Sequence, residues 1–494
     1  MSKIQPAGPV RPTRLYRALR GVVRVGLRLF FREVAAEGQR HVPADRGGLL
    51  VSWHPNGVVD PAVILARFPG RLVFGARDGL LRWPLVGALM RGLGTVPIYR
   101  AEDAAGDEAA RRDANRRSLG ALAAETAAGS FSALFPEGHS HDLAHPTEIR
   151  SGAARLYAQA LALAAEAGAP APALIPVGLH YDEKAVFRSR ALVVFHPPLA
   201  VPEALRARLV GPPDGPDTRA AIQELTDSVE RALDRAALAT DDWALVRTMH
   251  RARTLIRAEA AVRTDARVGP ESAAERALGF AQIWTGYRAR LASHPDEIAA
   301  LRADVDAYDR GLRALGLDDA DLDRSPRVAR LPVLLLALGA LVLLPLVVLG
   351  LVVNVPPHRL LRVLARRFSK AEKDTATVKL LGGFVLYPLA WAVAGIAAAL
   401  LRARLGDVPF LPDSPWATGL LVAVLSALGA VAALWASERA DEAGRAVRVR
   451  LTRERRGAAL VRLRAARTSL HDRFMALKVG LDLPDAVTDA GPTV

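Results

Sequence analysis

The sequence contains no cysteine, and only 5% of its 494 residues are aromatic. Without thiols the chain can form no disulfide, no thiolate metal site and no cysteine nucleophile. We also expect no cleavable signal peptide, because arginines interrupt the first apolar stretch. The soluble part of the protein is therefore expected to stay in the cytoplasm.

Positive charge is in excess, with 66 Lys and Arg against 51 Asp and Glu, for a net charge of +15. Such an excess requires a polyanionic partner, which could be nucleic acid or an anionic membrane. The sequence shows no zinc-finger spacing and no RNA-binding signature. Because long apolar segments occur later in the chain, we expect a membrane and no nucleic acid.

The chain from Arg14 to Val34 interleaves arginines with Leu, Val and Phe. For residues 1–34 this pattern predicts a basic amphipathic helix at a lipid interface, with its arginines at phosphate headgroups. A surface helix packed against a protein core is the alternative, and the sequence leaves it open.

Short apolar runs alternate with helical patterns over residues 35–202. This alternation predicts an α/β domain with a largely parallel sheet flanked by helices, in which ligands lie at strand ends. The expected strands are Gly48–Trp53, Arg71–Gly75, Gly94–Tyr99, Ser132–Phe135, Ala173–Gly178 and Ala191–Phe195.

The rest of the chain is predicted to be helical, with an accessory region over residues 203–330 and a basic tail over 437–494. Between them, the region 331–436 contains three uncharged apolar segments. Each has about 20 residues or more, which is long enough to cross a bilayer. These segments are 331–353, 380–401 and 416–436.

The distribution of Lys and Arg predicts that the second and third apolar segments form a hairpin with both ends cytoplasmic. If the catalytic domain is also cytoplasmic, the first segment cannot simply cross. Pro345 could permit a re-entrant hairpin instead, and the sequence leaves open whether this segment spans the membrane or is re-entrant. The bias toward Ala, Arg, Leu and Val is typical of a GC-rich genome.

The expected location of the protein is a bacterial inner membrane, with the catalytic domain on its cytoplasmic face.

One apolar strand is predicted to end at His54, and Asp60 follows near the start of the next helix. A carboxylate about one turn away can hold one imidazole nitrogen, which leaves the other to take a proton from a hydroxyl. The hydroxyl could belong to the substrate, because a thioester needs no protein nucleophile. A histidine that ends the strand for structural reasons is an open alternative.

Two other predicted strands run into polar residues. Arg100 could clamp a phosphate through paired hydrogen bonds, although an ordinary surface arginine fits equally well. Glu137 could accept hydrogen bonds from glycerol hydroxyls, and Gly138 would let backbone amides approach a ligand. Arg150 could add a phosphate contact, just before a helix that opens at Gly152.

The polar cluster after Gly138 also permits two other interpretations. Ser140 could be the nucleophile of a hydrolase, but it is not in a G-x-S-x-G turn. A metal could bind other residues of the cluster, but their spacing matches no familiar metal motif. The metal candidates are His139, His141 and Asp142, with His54 or His145.

Four blocks of the sequence, in order, resemble the motifs of the glycerolipid acyltransferase (PlsC-like) superfamily over roughly residues 33–200. The blocks are His54…Asp60, Gly94–Arg100, Phe135–Gly138 and Ile175–Gly178. Taken alone, the last is an ordinary core strand, and the order of all four makes the resemblance specific.

The sequence departs from the common pattern in two places. It has one residue more than the usual His-x4-Asp, and His-Ser-His-Asp follows Phe-Pro-Glu-Gly. Together with Asn56, Arg150 and Gly152, these departures resemble the branch of fungal-type glycerol-3-phosphate and dihydroxyacetone-phosphate acyltransferases. Bacterial relatives are often labelled 1-acylglycerol-3-phosphate acyltransferases, so the acceptor stays open.

The resemblance implies that His54 is the general base and Asp60 its orienting partner. It implies that Arg100, Glu137 and Gly138 bind the acceptor, with Arg100 on its phosphate. The donor would be acyl-CoA or acyl-carrier protein, with no cofactor and no metal. Residues that support the motifs are Asn56, Pro97, Pro136, Ser140, His141, Asp142, Gly152 and Pro176, the last on the acyl-donor side.

We therefore expect a membrane enzyme of phospholipid synthesis that transfers a fatty acyl group to a hydroxyl of glycerol-3-phosphate or 1-acylglycerol-3-phosphate. Another lysophospholipid or hydroxylated lipid could be the acceptor instead. A metal- or serine-dependent lipid hydrolase and an inert membrane scaffold are alternatives from other classes. The acyl-chain length and the oligomeric state are left open.

Overall fold

The computed structural model describes residues 12–82, 84–98, 108–212, 215–266, 269, 271–323, 330–369, 371–406 and 409–490. These residues fall into two compact units. The first lies within Met1–Met249, Glu271–Arg288 and Leu481–Val494, and the second within His250–Pro270 and Ala289–Gly480.

The first unit is built on a seven-stranded sheet with the order β1-β7-β6-β2-β5-β3-β4. Neighbouring strands are parallel except for β6 and β7. The predicted α/β fold with a largely parallel sheet is therefore confirmed. The strands are β1 (Glu33–Glu37), β2 (Gly48–Ser52), β3 (Leu72–Arg77), β4 (Val96–Ile98), β5 (Phe131–Leu134), β6 (Ala173–Tyr181) and β7 (Arg190–Phe195).

Helices flank this sheet, and the central strand β2 is buried along its whole length. Strands covered on both faces read as continuous apolar runs, as Gly-Leu-Leu-Val-Ser does here. The helices are α1 (Arg14–Phe30), α2 (Val59–Arg67), α3 (Asp78–Leu81), α4 (Pro84–Gly92), α5 (Glu108–Ala127), α6 (Gly152–Glu166), α7 (Glu203–Leu209) and α8 (Pro216–Ala237). Two longer helices, α9 (Trp243–Arg263) and α10 (Ala273–Leu291), have residues in both units.

The helix α1 ends at Phe30, four residues before the predicted end, because the chain turns into β1. There the backbone N–H of Arg32 donates to the carbonyl of Ser189 at 2.8 Å. One face of α1 packs into the unit: Leu27 is 1% exposed, and the Tyr16 hydroxyl donates to the Leu72 carbonyl at 3.0 Å. One face of α1 therefore packs against the protein core, as the alternative interpretation expected. Binding of this helix at a lipid interface stays a prediction.

His196, directly after β7, is buried, and its Nδ1 lies 3.2 Å from the Thr488 carbonyl. Burial lowers its pKa from 6.5 to about 4, so the folded protein holds it neutral where the unfolded chain protonates it. The difference between these two pKa values makes the folded state more sensitive to acid. The free energy of unfolding should therefore be highest, as far as His196 affects it, above pH 6.5. We expect it to decline as the pH falls to about 4, by roughly 3 kcal/mol at most.

Thermal unfolding of the detergent-solubilised protein at pH 7.5 and pH 5 measures this effect. A His196→Gln variant keeps an amide donor for the Thr488 carbonyl but does not titrate, so its stability should depend less on pH. Equal pH dependence in the two proteins would contradict the assignment.

The second unit is helical, and three of its helices are long and apolar enough to cross a membrane: Leu343–Phe368, Glu372–Leu405 and Pro415–Arg455. Each overlaps one of the predicted apolar segments. The helices of this unit, besides the parts of α9 and α10, are α11 (Pro295–Leu315), α12 (Arg330–Phe368), α13 (Glu372–Leu405), α14 (Pro415–Arg455) and α15 (Gly457–Lys478).

The structure does not contain the re-entrant hairpin that Pro345 could permit, because α12 runs through this residue as one helix. An interior proline removes one hydrogen bond and bends a helix, but it does not by itself reverse the chain. Pro356 and Pro357 also lie inside α12. In a continuous helix most backbone N–H and C=O groups form hydrogen bonds within the segment, as the interior of a bilayer requires.

Close backbone contact joins α12 to α14. A Cβ on Gly350 would lie 2.0 Å from the Gly429 carbonyl oxygen, so no larger residue fits there without a shift. One turn on, the Asn354 side chain donates to the Ser426 carbonyl at 3.1 Å and accepts from the Trp391 indole at 2.8 Å. Small residues and side-chain hydrogen bonds are the usual means of packing helices in lipid.

The tail helix α15 packs on the accessory helices of the second unit. Its Leu460 and Leu470 join a buried cluster with Leu301 of α11. The buried Arg467 guanidinium lies 2.9 Å from the carboxylate of Glu259. This part of the tail therefore belongs to a protein core.

Candidate active site

The carboxyl ends of β2, β5 and β6 lie at one edge of the sheet, because these neighbouring strands are parallel. His54 follows β2, Glu137 follows β5, and Tyr181 ends β6. Open α/β sheets bind ligands at this edge. Three polar side chains that are far apart in the sequence are thus brought to the usual place for a site.

His54 and Asp60 form a hydrogen-bonded pair. The Nδ1 atom of His54 lies 2.8 Å from Oδ2 of Asp60, which occupies the first turn of α2 and is fully buried. The same Oδ2 accepts the backbone N–H of Asn56 at 2.7 Å. Since an ionised carboxylate only accepts, Nδ1 must carry the proton, which leaves the lone pair of a neutral imidazole on Nε2.

Tyr181 is a further hydrogen-bond partner of Asp60, and the sequence analysis did not identify it as a site residue. Its hydroxyl donates to Oδ1 of Asp60 at 2.6 Å. Burial, followed by the neighbouring carboxylate, raises the pKa of Tyr181 well above its ordinary value, so the phenol stays protonated and remains a donor. The only sequence signal was its place at the end of the strand that carries the fourth motif.

The imidazole of His54 has a fixed orientation. Its ring stacks on that of Phe135, with centroids 4.0 Å apart and planes 13° from parallel. The side chain is 14% exposed. Among the described residues, no hydrogen bond is made to its Nε2, so this atom can meet the proton of a hydroxyl that enters the site.

Glu137 is fully buried, and both of its carboxylate oxygens have partners within the protein. Oε2 accepts the backbone N–H of His54 at 2.7 Å, and Oε1 accepts that of Thr147 at 2.9 Å. Oε1 also lies 2.7 Å from Nε2 of His141. In this arrangement Glu137 positions the histidine turn, and the predicted contact with acceptor hydroxyls stays a prediction.

His141 ties the same two segments together from the other side. Its backbone N–H donates to the His54 carbonyl at 3.1 Å. Its Nδ1 accepts the N–H of Leu143 at 3.2 Å, so the ring proton is on Nε2 and is donated to Glu137. A metal on this imidazole would have to displace one of these contacts. No group of three or more potential metal ligands occurs in the described part of the chain.

Asp142 and the buried Lys184 form a partly buried contact beside the histidine turn. Nζ of Lys184, a residue that the sequence analysis missed, lies 2.6 Å from Oδ1 of Asp142 and 3.3 Å from the Pro55 carbonyl. The same ammonium lies over the Trp243 ring, with Nζ 5.0 Å from the ring centroid. Nothing in the local sequence marks Lys184, because its partners are more than 40 residues away.

The turn after β5 places Arg150 against Gly138. Gly138 has a φ of +75°, a conformation that favours glycine, and the Arg150 guanidinium lies against the space that a Cβ would occupy. The backbone N–H of Arg150 donates to the Pro136 carbonyl at 3.0 Å. Because Arg150 is exposed and directly precedes α6, which begins at Gly152, its side chain can reach a ligand at this edge.

The other predicted site residues are dispersed. Arg100 lies outside the described residues, two positions after β4, which contains Pro97. Ser140 lies in the turn between Glu137 and His141. Pro176 is buried within β6, paired with Val51 of β2, so it shapes the sheet below the site.

The sequence is similar to a known protein family and to individual known proteins. The family model Acyltransferase matches residues 33–180. Glycerol-3-phosphate O-acyltransferase 1 of Saccharomyces cerevisiae is 25% identical over 251 residues, which cover 50% of this chain and 30% of that protein. An uncharacterized acyltransferase of Schizosaccharomyces pombe is 23% identical over 329 residues, covering 49% of this chain and 47% of that one. The chain thus spans less than half the length of either curated relative.

Among solved structures, the 1-acyl-sn-glycerophosphate acyltransferase PlsC from Thermotoga maritima is similar at 18% identity and a TM-score of 0.30. That match covers 44% of this chain and 78% of the other. The family model and the curated relatives confirm the resemblance to the glycerolipid acyltransferase superfamily predicted from the four motifs.

Proposed function

We propose that this chain, with its acyltransferase domain of the glycerolipid type, transfers a fatty acyl group from a thioester to a hydroxyl of glycerol-3-phosphate or 1-acylglycerol-3-phosphate. The observation that carries the proposal is the His54–Asp60 pair, 2.8 Å apart at the carboxyl edge of the sheet. It supplies a base of fixed orientation where such a sheet binds its ligands.

In this mechanism Nε2 of His54 takes the proton of the acceptor hydroxyl as its oxygen attacks the thioester carbonyl. Asp60 stabilises the imidazolium that forms and keeps its Nδ1 proton in place. When the tetrahedral intermediate collapses, the carbon–sulfur bond breaks and the thiolate leaves. The imidazolium returns the proton to that sulfur, which gives an ester and a free thiol. No acyl group is attached to the protein.

The acceptor phosphate is assigned to Arg100, with Arg150 as a second contact. Arg150 supports this assignment because it is exposed beside Gly138 at the same edge as His54. A planar guanidinium binds phosphate through two parallel hydrogen bonds. The donor is proposed to be acyl-CoA or acyl-carrier protein, and the mechanism uses no metal and no cofactor.

The active site is proposed to face the cytoplasm at the surface of the membrane that the three apolar helices enter. We propose that this membrane is a bacterial inner membrane. The two curated relatives are fungal proteins and do not support that location.

Arg100→Ala should raise the KM for the phosphorylated acceptor much more than it lowers kcat, because phosphate binding is shared by the ground and transition states. Initial rates at varied acceptor concentration measure the change. The matched variant is Arg150→Ala, which removes the second guanidinium. An unchanged KM in Arg100→Ala would place the phosphate elsewhere.

The direct test is an acyl-transfer assay on detergent-purified protein, with radiolabelled acyl-CoA and three acceptors: glycerol-3-phosphate, dihydroxyacetone phosphate and 1-acylglycerol-3-phosphate. Labelled product from one acceptor establishes the reaction and its step in lipid synthesis. If acyl-CoA gives none, an acyl-carrier-protein donor and unphosphorylated acceptors are tried in the same assay. Failure of every pair would remove the proposal, and release of free fatty acid instead would favour the hydrolase.

A further inference from the structure

The loop between β6 and β7, residues 182–189, is fixed at one end to the turn that carries His54. Lys184 is 5% exposed, and its Nζ lies 3.3 Å from the carbonyl of Pro55, the residue after His54. Its own carbonyl accepts from the Asn56 side chain at 2.8 Å. The position of this part of the loop is therefore coupled directly to the position of the catalytic turn.

The other end of the loop is fixed to the carboxyl end of α1. The backbone N–H of Arg188 donates to the Phe30 carbonyl at 2.7 Å, and Ser189 accepts from Arg32 at 2.8 Å. The Phe187 ring lies edge-on to that of Phe30, with centroids 6.0 Å apart. The loop thus bridges α1 and the active site.

Between these anchors the loop exposes apolar side chains. Val186 is 50% exposed and Phe187 is 38% exposed. The adjoining helix α1 also exposes aliphatic residues, which recur at intervals of seven, three and four and therefore share one side of the helix. They are Leu15, Val22, Val25 and Leu29.

Positive charge borders this apolar stripe. Arg14, Arg17 and Arg28 are exposed on α1. At 3.6 residues per turn Arg14 lies beside Val25 of the stripe, and Arg17 and Arg28 lie between the stripe and the buried Leu27. An apolar strip edged by arginines matches a bilayer with anionic headgroups, which offers hydrocarbon and phosphate at adjacent depths.

We propose that Val186 and Phe187 insert into an anionic lipid bilayer beside the apolar stripe of α1, so that the β6–β7 loop holds the His54 turn at the membrane surface. The consequence for catalysis rests on the proposed function, since a lipid acceptor would then reach His54 from the plane of the membrane. Insertion of the loop into the bilayer does not depend on acyl transfer and can be measured without it.

The absence of cysteine from this chain makes a site-specific test possible. Phe187→Cys and Val25→Cys, each labelled with the fluorophore NBD, are reconstituted into nanodiscs of phosphatidylcholine and phosphatidylglycerol. The matched control is Ala165→Cys, which is exposed near the end of α6, at the opposite edge of the sheet. Acyl chains that carry spin labels should quench the probes at 187 and 25, and aqueous iodide should quench the probe at 165.

Equal iodide quenching at positions 187 and 165, with no quenching by the lipid spin labels, would overturn the proposal. The proposal would also be overturned if the probes at 187 and 25 were shielded from iodide only at high protein density, whatever the lipid. Such shielding would indicate contact with a second copy of the chain. Acyl transfer by the same preparations is measured separately. Docking without transfer would count against the proposed function alone, and transfer without docking against this inference alone.

Discussion

His54→Ala is expected to lower kcat for acyl transfer on the order of a thousandfold, while membrane insertion stays unchanged. The variant removes the only atom assigned to take the hydroxyl proton, the Nε2 of an imidazole held by Asp60 at 2.8 Å. The side chain is 14% exposed and stacks on Phe135, so its loss leaves a small space at the surface of the site. Single-turnover rates with saturating donor and acceptor measure the effect on chemistry.

His139→Ala is the matched control. His139 lies in the same cluster, but its Nδ1 contacts only the Glu137 carbonyl, at 3.1 Å, among the hydrogen bonds of the described residues. The acyltransferase mechanism gives it no role, so this variant should stay active. A metal-dependent hydrolase would need it as a ligand. Turnover retained in His54→Ala, or lost equally in both variants, would be incompatible with His54 as the base.

Asp60→Asn is expected to lower kcat on the order of a hundredfold, with little change in either KM. Asn can still accept from His54 and Asn56 through its oxygen, and its amide can donate to the Tyr181 hydroxyl. The shape of the site is therefore kept, while the negative charge that stabilises the imidazolium is lost. Steady-state kinetics with both substrates varied separates this effect from weakened binding.

Tyr181→Phe provides the graded comparison for Asp60→Asn. It removes one of three hydrogen bonds to the carboxylate but keeps its charge, so kcat should fall about tenfold or less. Thermal unfolding of both variants monitors the fold. A Tyr181→Phe loss as large as that of Asp60→Asn, at unchanged stability, would mean that the phenol itself contacts the reacting groups.

The sequence predicted the strands that carry the motifs because a buried parallel strand is a continuous apolar run with a polar residue at its end. It therefore also placed candidate functional residues at strand ends, where such sheets bind their ligands. The strand β1 was missed, because Glu-Val-Ala-Ala-Glu has little apolar character and forms only through pairing with β7, more than 150 residues away.

Contacts between distant segments account for the other omissions. Tyr181 reaches Asp60 across 121 residues, and Lys184 reaches Asp142 across 42. No local pattern indicates such pairs. The resemblance placed Glu137 on the acceptor, which stays a prediction, and it gave no sign that the main-chain N–H groups of His54 and Thr147 donate to its carboxylate. A motif identifies the residue type at a position and does not reveal which neighbour it faces.

The turn between β2 and α2 holds one residue more than the His-x4-Asp spacing usual in related acyltransferases, and yet it delivers His54 and Asp60 to hydrogen-bonding distance. Within the turn, Gly57 adopts a φ of +48°, a conformation that favours glycine. The spacing of the two residues along the sequence therefore does not by itself decide whether they can pair. The separation of their side chains is set by where the strand stops and where the helix starts.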